Sequence, residues 1–173
     1  AFRDNSDINL ATKERILAMA KQLNYQPNHY ASNLREQKSK TIAVIVPELA
    51  NNYFSLAIQG IESVASAKGY HILVYATNDQ FEKEVSFIQH LHNGRADGII
   101  MSVSGEANDH NYLNELAKKR LPLVFFDRVY EDIETPRVIT NDYEASFSAT
   151  EHLIDQGCKR IAYLAVNKTL SIG

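Results

Sequence analysis

Residues 41–54, TIAVIVPELANNYF, decide how the rest of the chain is read. The first half, TIAVIVP (41–47), is a continuous apolar run rich in β-branched residues, the pattern of a strand covered on both faces in a parallel sheet. The second half, ELANNYF, turns polar and ends on an aromatic pair. After it Phe54, Ile58, Ile61 and Ala65 recur at helical spacing. The same grammar of strand, polar turn and helix repeats downstream. Strands are predicted at HILVYAT (71–77), DGIIMSV (97–103), PLVFFD (122–127), RVITND (137–142) and RIAYLAV (160–166). A second helical stripe falls on Phe147, Thr150 and Ile154, and Gly69, Gly94 and Gly157 follow such patterns where a left-handed C-cap is expected. The expectation is an α/β fold with an open, doubly wound parallel sheet.

In such sheets ligands bind beyond the carboxyl ends of the strands, at the topological switch point. This sequence places ELANNYF after the first strand, NDQ after the second, SGE after the third, DR after the fourth and ND after the fifth. An aromatic pair with Asp, Asn, Ser and Arg on one rim suits a small polar ligand, although loops are polar in any case.

Composition narrows the class further. At 173 residues and 45% apolar, the chain can bury one real core with a small appendage. Charge is uneven: residues 1–40 hold seven Lys or Arg against four acids, and the remainder 11 against 17. A basic end on an acidic body points to a segment that meets an anion. Every apolar stretch is broken well short of the ~20 residues a membrane span needs, so no membrane role is expected. Cys158 is the sole cysteine, which excludes a disulfide framework and fits a cytoplasmic protein. The opening AFRDNSDINLATKERI carries no signal peptide, and its first residues read as the end of an element that starts upstream.

Within that basic end, Asn9 suits an N-cap, and Ile16, Leu17, Met19, Ala20 and Leu23 mark one amphipathic helix whose stripe needs partners. Asn28 can cap a second helix of about seven residues, which is below the ~12–15 needed for stability alone and so must borrow it from a partner. No Gly-rich phosphate loop follows the first strand. His90 and His92 fall on different sides of a helix with no third ligand, so neither cofactor nor metal is expected. Cys158, after a helix C-cap, reads as a buried small side chain. No nucleophile motif proposes an enzyme.

The run INLATKERILAMAKQLNYQPNHYASNLREQKSKTIAVIVPELANNYF (8–54), followed in order by ADGIIM, PLVFFDR and ATEHLIDQGCKRIAYL, resembles the lactose-repressor (LacI/GalR) family of bacterial transcriptional regulators. The resemblance covers nearly the whole chain. It implies residues 1–27 as the C-terminal part of a helix-turn-helix DNA-binding domain, 28–40 as hinge helix and linker, and 41–173 as the first lobe of a periplasmic-binding-protein-like effector core. It further implies a homodimer on operator DNA, with a small-molecule effector ordering or disordering the hinge helices and no catalysis.

Position by position, Asn9, Thr12, Tyr25 and Asn28 match residues that hold the DNA backbone. Leu34 matches a leucine that wedges into the minor groove, with Ala31 on the same hinge helix. Tyr53 and Phe54 match an aromatic corner that packs on the effector, and Asp79, Asp127 and Arg128 join it on the rim. Asn141 then Asp142 stand where the family usually has Asp then Asn, a swap that bears on which hydroxyls are read. A sugar is the favoured effector over a purine. The rival readings are a solute-binding protein of a transport system, which would begin with a signal peptide, and a doubly wound enzyme, which would carry a phosphate loop or a nucleophile pair.

Overall fold

The computed structural model describes residues 8–25, 38–91, 94–105, 111–118 and 121–164. Contacts divide the chain into two compact units, Ala1–Gln37 and Lys38–Gly173.

In the first unit, helix α1 (Leu10–Gln22) starts where Asn9 Oδ1 accepts a hydrogen bond from Ala11 N at 3.0 Å, which satisfies one of the unpaired amides of the first turn. It ends as Asn24 takes a positive φ of 48° and Tyr25 N donates back to Ala20 O. No residue of α1 is buried; of the predicted stripe, Ile16, Leu17, Met19 and Leu23 are exposed and Ala20 is half-buried. Asn28, Ala31, Leu34 and the expected hinge helix lie outside the described residues.

The second unit alternates β1 (Thr41–Val46), α2 (Asn52–Ala67), β2 (His71–Ala76), α3 (Phe81–Leu91), β3 (Gly98–Met101), α4 (Asn111–Lys118), β4 (Leu123–Phe126), β5 (Arg137–Val138) and α5 (Asp142–Asp155). Among the described residues the strands form one sheet in the order β2-β1-β3-β4-β5, all parallel. Strand order reverses between β1 and β3, which makes that the switch point. The start of β1 is pinned from the neighbouring strand: Asp97 accepts from Ser39 N (2.6 Å), Ser39 Oγ (2.8 Å) and Lys40 N (3.0 Å).

Alternation along β1 feeds two cores. Ala43 and Ile45 face one layer with Ile88 and Leu91 of α3, Leu113 and Leu116 of α4, Ile99, Met101 and Phe125. Val44 and Val46 face the other, with Phe54, Ala57, Ile58 and Ile61 of α2 and with Phe126. The predicted α2 stripe is therefore the buried face. Gly69, Gly94 and Gly157 adopt φ of 72°, 73° and 83°, the left-handed conformation expected after a helix.

Four expectations need correction. The strand predicted at 160–166 is not formed over its described part, 160–164: Ile161, Tyr163 and Leu164 are exposed and pair with no ladder, and a strand without a neighbour has nothing to stabilise it. The stripe on α5 is likewise uncovered, with Phe147 and Ile154 exposed and no residue of the helix buried. Cys158, which follows this unpacked helix, is exposed for the same reason. On the opposite edge, β2 leaves Leu73 and Val74 partly open, so coverage of both faces holds for the central strands only.

These environments predict opposite outcomes for one substitution. Phe125→Ala, in the closed core, should cost about 3–5 kcal/mol in urea denaturation of the chain. Phe147→Ala on the exposed face of α5 should stay within about 0.5 kcal/mol of wild type.

Candidate functional site

The carboxyl ends of the strands are built to fold back on one another. After β2, Thr77 N and Asn78 N donate to Val46 O and Pro47 O, and Asn78 and Asp79 then take φ of 54° and 56°. Asn and Asp tolerate this left-handed turn better than other non-glycine residues. It delivers the Asp79 carboxylate to the rim. After β3, Ser102 N donates to Ile45 O and the buried run Ser102–Ser104 continues beside the end of β4. After β4, Asp127 takes φ of 60°, with its amide still bonded to Val138 O at 3.1 Å.

That left-handed step is held by Ser102. Its Oγ donates to Asp127 Oδ2 at 3.0 Å and accepts from Arg128 N at 3.4 Å, and Val103 N closes the pairing by donating to Arg128 O. Arg128 Nη1 then reaches Asp79 Oδ1 at 2.5 Å. Its Nε is buried, stands 4.0 Å from Asp127 Oδ2 and has no hydrogen-bond partner in the structure. Burial raises the Asp127 carboxyl above its ordinary range. The Ser102 hydroxyl and the Arg128 charge and amide oppose the rise, and the Asp142 carboxylate adds to it.

Tyr53 and Phe54 divide the work of the aromatic pair. Phe54 is 3% exposed and packs edge-on against Phe126, so it belongs to the core. Tyr53 is 48% exposed and stands edge-on to Phe54 at 5.3 Å between centroids. Partial burial, then the charges of the Asp127 and Asp142 carboxylates, raise its phenol. The helix carrying both starts at Asn51, whose side chain accepts from Tyr53 N at 2.9 Å.

Asp79, Asp127, Arg128, Tyr53 and Asp142 therefore share one rim. Asn141 sits beside them with its amide donating to Glu144 of the same helix, while Asp142 Oδ1 accepts from Thr140 Oγ1 at 2.6 Å. Asn9, Thr12 and Tyr25 are exposed in the first unit, Asn9 engaged as the cap of α1.

Sequence reasoning missed what lies beneath the rim. Glu84 of α3 is completely buried. Its Oε2 accepts from Ser104 N at 2.6 Å, and its Oε1 accepts from Tyr112 Oη and, at 3.1 Å, from Tyr130 Oη. Tyr130 Oη is also 3.2 Å from Ser104 O. Burial pushes the Glu84 carboxyl above its usual range against those hydrogen bonds, and burial followed by the Glu84 charge pushes both phenols well up. One signal was available: Glu84, Ile88 and Leu91 fall at i, i+4 and i+7, so the glutamate shares the buried stripe of α3.

Among the described residues no group of three or more His, Cys, Asp or Glu side chains could hold a metal ion, and no helix is long and apolar enough to cross a membrane.

A parallel sheet with a polar rim at its switch point defines the class: an α/β ligand-binding lobe. Residues 39–172 match the family described as periplasmic binding proteins and the sugar binding domain of the LacI family, and the chain belongs to that family. It is 33% identical to the ribose operon repressor of Halalkalibacterium halodurans over 153 residues, 88% of this chain and 44% of that protein. It is 30% identical to catabolite control protein A of Priestia megaterium over 162 residues, 93% of this chain and 48% of that protein. Among solved structures, the Cra transcriptional dual regulator of Pseudomonas putida in complex with fructose 1-phosphate superposes with a TM-score of 0.71 at 27% identity, covering 78% of this chain and 49% of that one. The chain thus spans about half the length of the relatives it matches.

The buried glutamate predicts a pH signature. Its folded-state pKa lies above the ordinary value of 4.5, so the fold favours the protonated form. That contribution is full below about pH 4.5 and is lost as pH rises through the raised folded value. Glu84→Gln removes it, so the stability of the variant relative to wild type should climb as pH rises above about 4.5. Paired urea denaturations at pH 4 and pH 7 measure this, and a constant difference would contradict it.

Proposed function

We propose that this chain works in a sequence-specific DNA-binding transcriptional regulator whose operator affinity is set by a small effector bound at the Asp79–Asp127–Arg128 rim. The observation that carries the reading is the buried, unpartnered Nε–H of Arg128 in a guanidinium already steered by Asp79 and Asp127. A buried donor without an acceptor costs about 1–3 kcal/mol, which an effector oxygen at that position would recover. The neighbours named as regulators favour this over a solute-binding protein of transport.

Rim charge supports a neutral sugar as the effector. Asp79 and Asp127 flank one guanidinium and Asp142 adds its charge near Asp127, an arrangement that repels a phosphate and accepts hydrogen bonds from hydroxyls. The half-open ring of Tyr53 offers a face for a sugar ring or for a purine, and the carboxylates favour the sugar. No catalytic step is part of the reading. The regulator acts in the cytoplasm as a homodimer, which the uncovered apolar residues Leu56 and Val64 of α2 and Val74 of β2 support.

DNA contacts are assigned to Asn9, Thr12, Tyr25, Asn28, Ala31 and Leu34, the last as a minor-groove wedge that must offset unstacking of a few kcal/mol. The effector shifts the hinge only by binding its ordered and disordered states unequally.

A thermal-shift panel of D-ribose, fructose 1-phosphate and hypoxanthine against a chain extended to the length of its relatives tests the reading. A ligand at 100 times its Kd adds about 2.7 kcal/mol. A shift with the neutral sugar is expected, and a shift only with fructose 1-phosphate or hypoxanthine would overturn the sugar assignment. In the same protein Arg128→Ala should weaken the effector by about 1.5–3 kcal/mol. Leu34→Ala should weaken operator binding at least about tenfold with effector affinity unchanged.

A further inference from the structure

The Glu84 cluster touches the rim without being part of it. Ser104 follows Ser102 by two residues along the exit of β3, and Tyr130 follows Arg128 by two along the exit of β4. Glu84 grips both: Oε2 holds the amide of Ser104, and Oε1 accepts from Tyr130 Oη, which lies within bonding distance of Ser104 O as well. The two exits are thus tied together twice, at the rim by Ser102 and Asp127 and underneath by Glu84, Tyr130 and Ser104. Tyr112 brings α4 to the same carboxylate.

A solvated surface glutamate would do none of this. A buried carboxyl must find hydrogen-bond partners, and here its donors come from three different elements, so its position cannot drift without breaking several bonds at once. The rim depends on small distances in turn, because Asp127 holds a left-handed backbone and its carboxylate is held to the exit of β3 by the Ser102 hydroxyl.

We infer that Glu84 is a positioning residue for the effector rim, setting the separation of the β3 and β4 exits through Ser104 and Tyr130 so that Ser102 stays bonded to Asp127 and Arg128 is presented to a ligand. The clamp rests on the proposed effector site only for the purpose it serves. Its geometry can be tested with no ligand present, so a failure of the effector reading and a failure of the clamp give different results.

The test is a carboxyl ¹³C titration of Asp127 by NMR in the 173-residue chain. The groups facing that carboxyl are the Ser102 hydroxyl, Arg128, Asp142 and Tyr53. Loosening the exits lengthens the Ser102 bond, and a carboxylate that loses a hydrogen bond to its charged form titrates higher. Tyr130→Phe removes one oxygen and keeps the ring, and Glu84→Gln keeps the shape with one acceptor oxygen. Both should raise the Asp127 midpoint by about 0.3 pH unit or more. Ile42→Val, in the core on the α2 side of the sheet, should lower the melting temperature and leave that midpoint where it is. Folding of each variant is read from the dispersion of its amide spectrum. An unchanged Asp127 midpoint in folded Tyr130→Phe or Glu84→Gln, or an equal rise in Ile42→Val, would overturn the assignment.

Discussion

The hydrogen bond from Ser102 to Asp127 is the constraint on which the rim depends. A non-glycine residue in the left-handed region costs roughly 1–2 kcal/mol, and Asp127 sits there at φ 60°. A hydrogen bond to a charged group returns about 1.5–3 kcal/mol, enough to hold the conformation. Without the left-handed step β4 would run straight on. With it, the chain turns at the carboxyl end of β4, the carboxylate faces Ser102, and the next side chain, Arg128, swings to Asp79. One serine on the neighbouring strand therefore positions two charged groups.

The packing below explains why that serine is in place. β1 and β3 are buried at the switch point, with Ile45 paired to Met101 and Ser102 N bonded to Ile45 O, so the start of the β3 exit is fixed by the sheet. Farther along the exit the sheet no longer supplies partners. There Glu84 takes over, and the polar cluster under the rim replaces ladder hydrogen bonds with side-chain ones. Polar contacts drawn from several elements specify one arrangement, whereas an apolar contact tolerates sliding.

Much of this was legible in sequence because burial leaves a periodic mark. The continuous runs at 41–47 and 122–127 read as strands covered on both faces, and they are central in the sheet; Tyr53, Asp79 and the Asp127–Arg128 dipeptide read as rim residues because they follow strands, whereas Phe54, read the same way, lies in the core. Two things left no such mark. Ser102 is a small residue at the end of an apolar run, and nothing in DGIIMSV separates a structural serine from a solvated one. Glu84 stands in EKE, where charge suggests solvent, and only its register with Ile88 and Leu91 shows otherwise. The apolar run at 160–166 misled for the converse reason. Hydrophobicity states that a segment can be buried, but a strand forms only where it pairs with a neighbour, and pairing is a property of the fold rather than of the segment.

In the proposed reading Arg128, set by Ser102 and Asp127, receives the effector. The most direct measurement is a titration of ¹⁵N-labelled protein with neutral sugars, beginning with D-ribose, followed through the Nε–H resonance of Arg128 and the amides of Tyr53, Asp79 and Asp127. Saturable changes concentrated on those groups are expected, with the Arg128 Nε–H moving most as its unpartnered donor gains an acceptor. Saturable binding that leaves the Arg128 Nε–H unmoved and perturbs the exposed faces of α2 or α5 instead would contradict it.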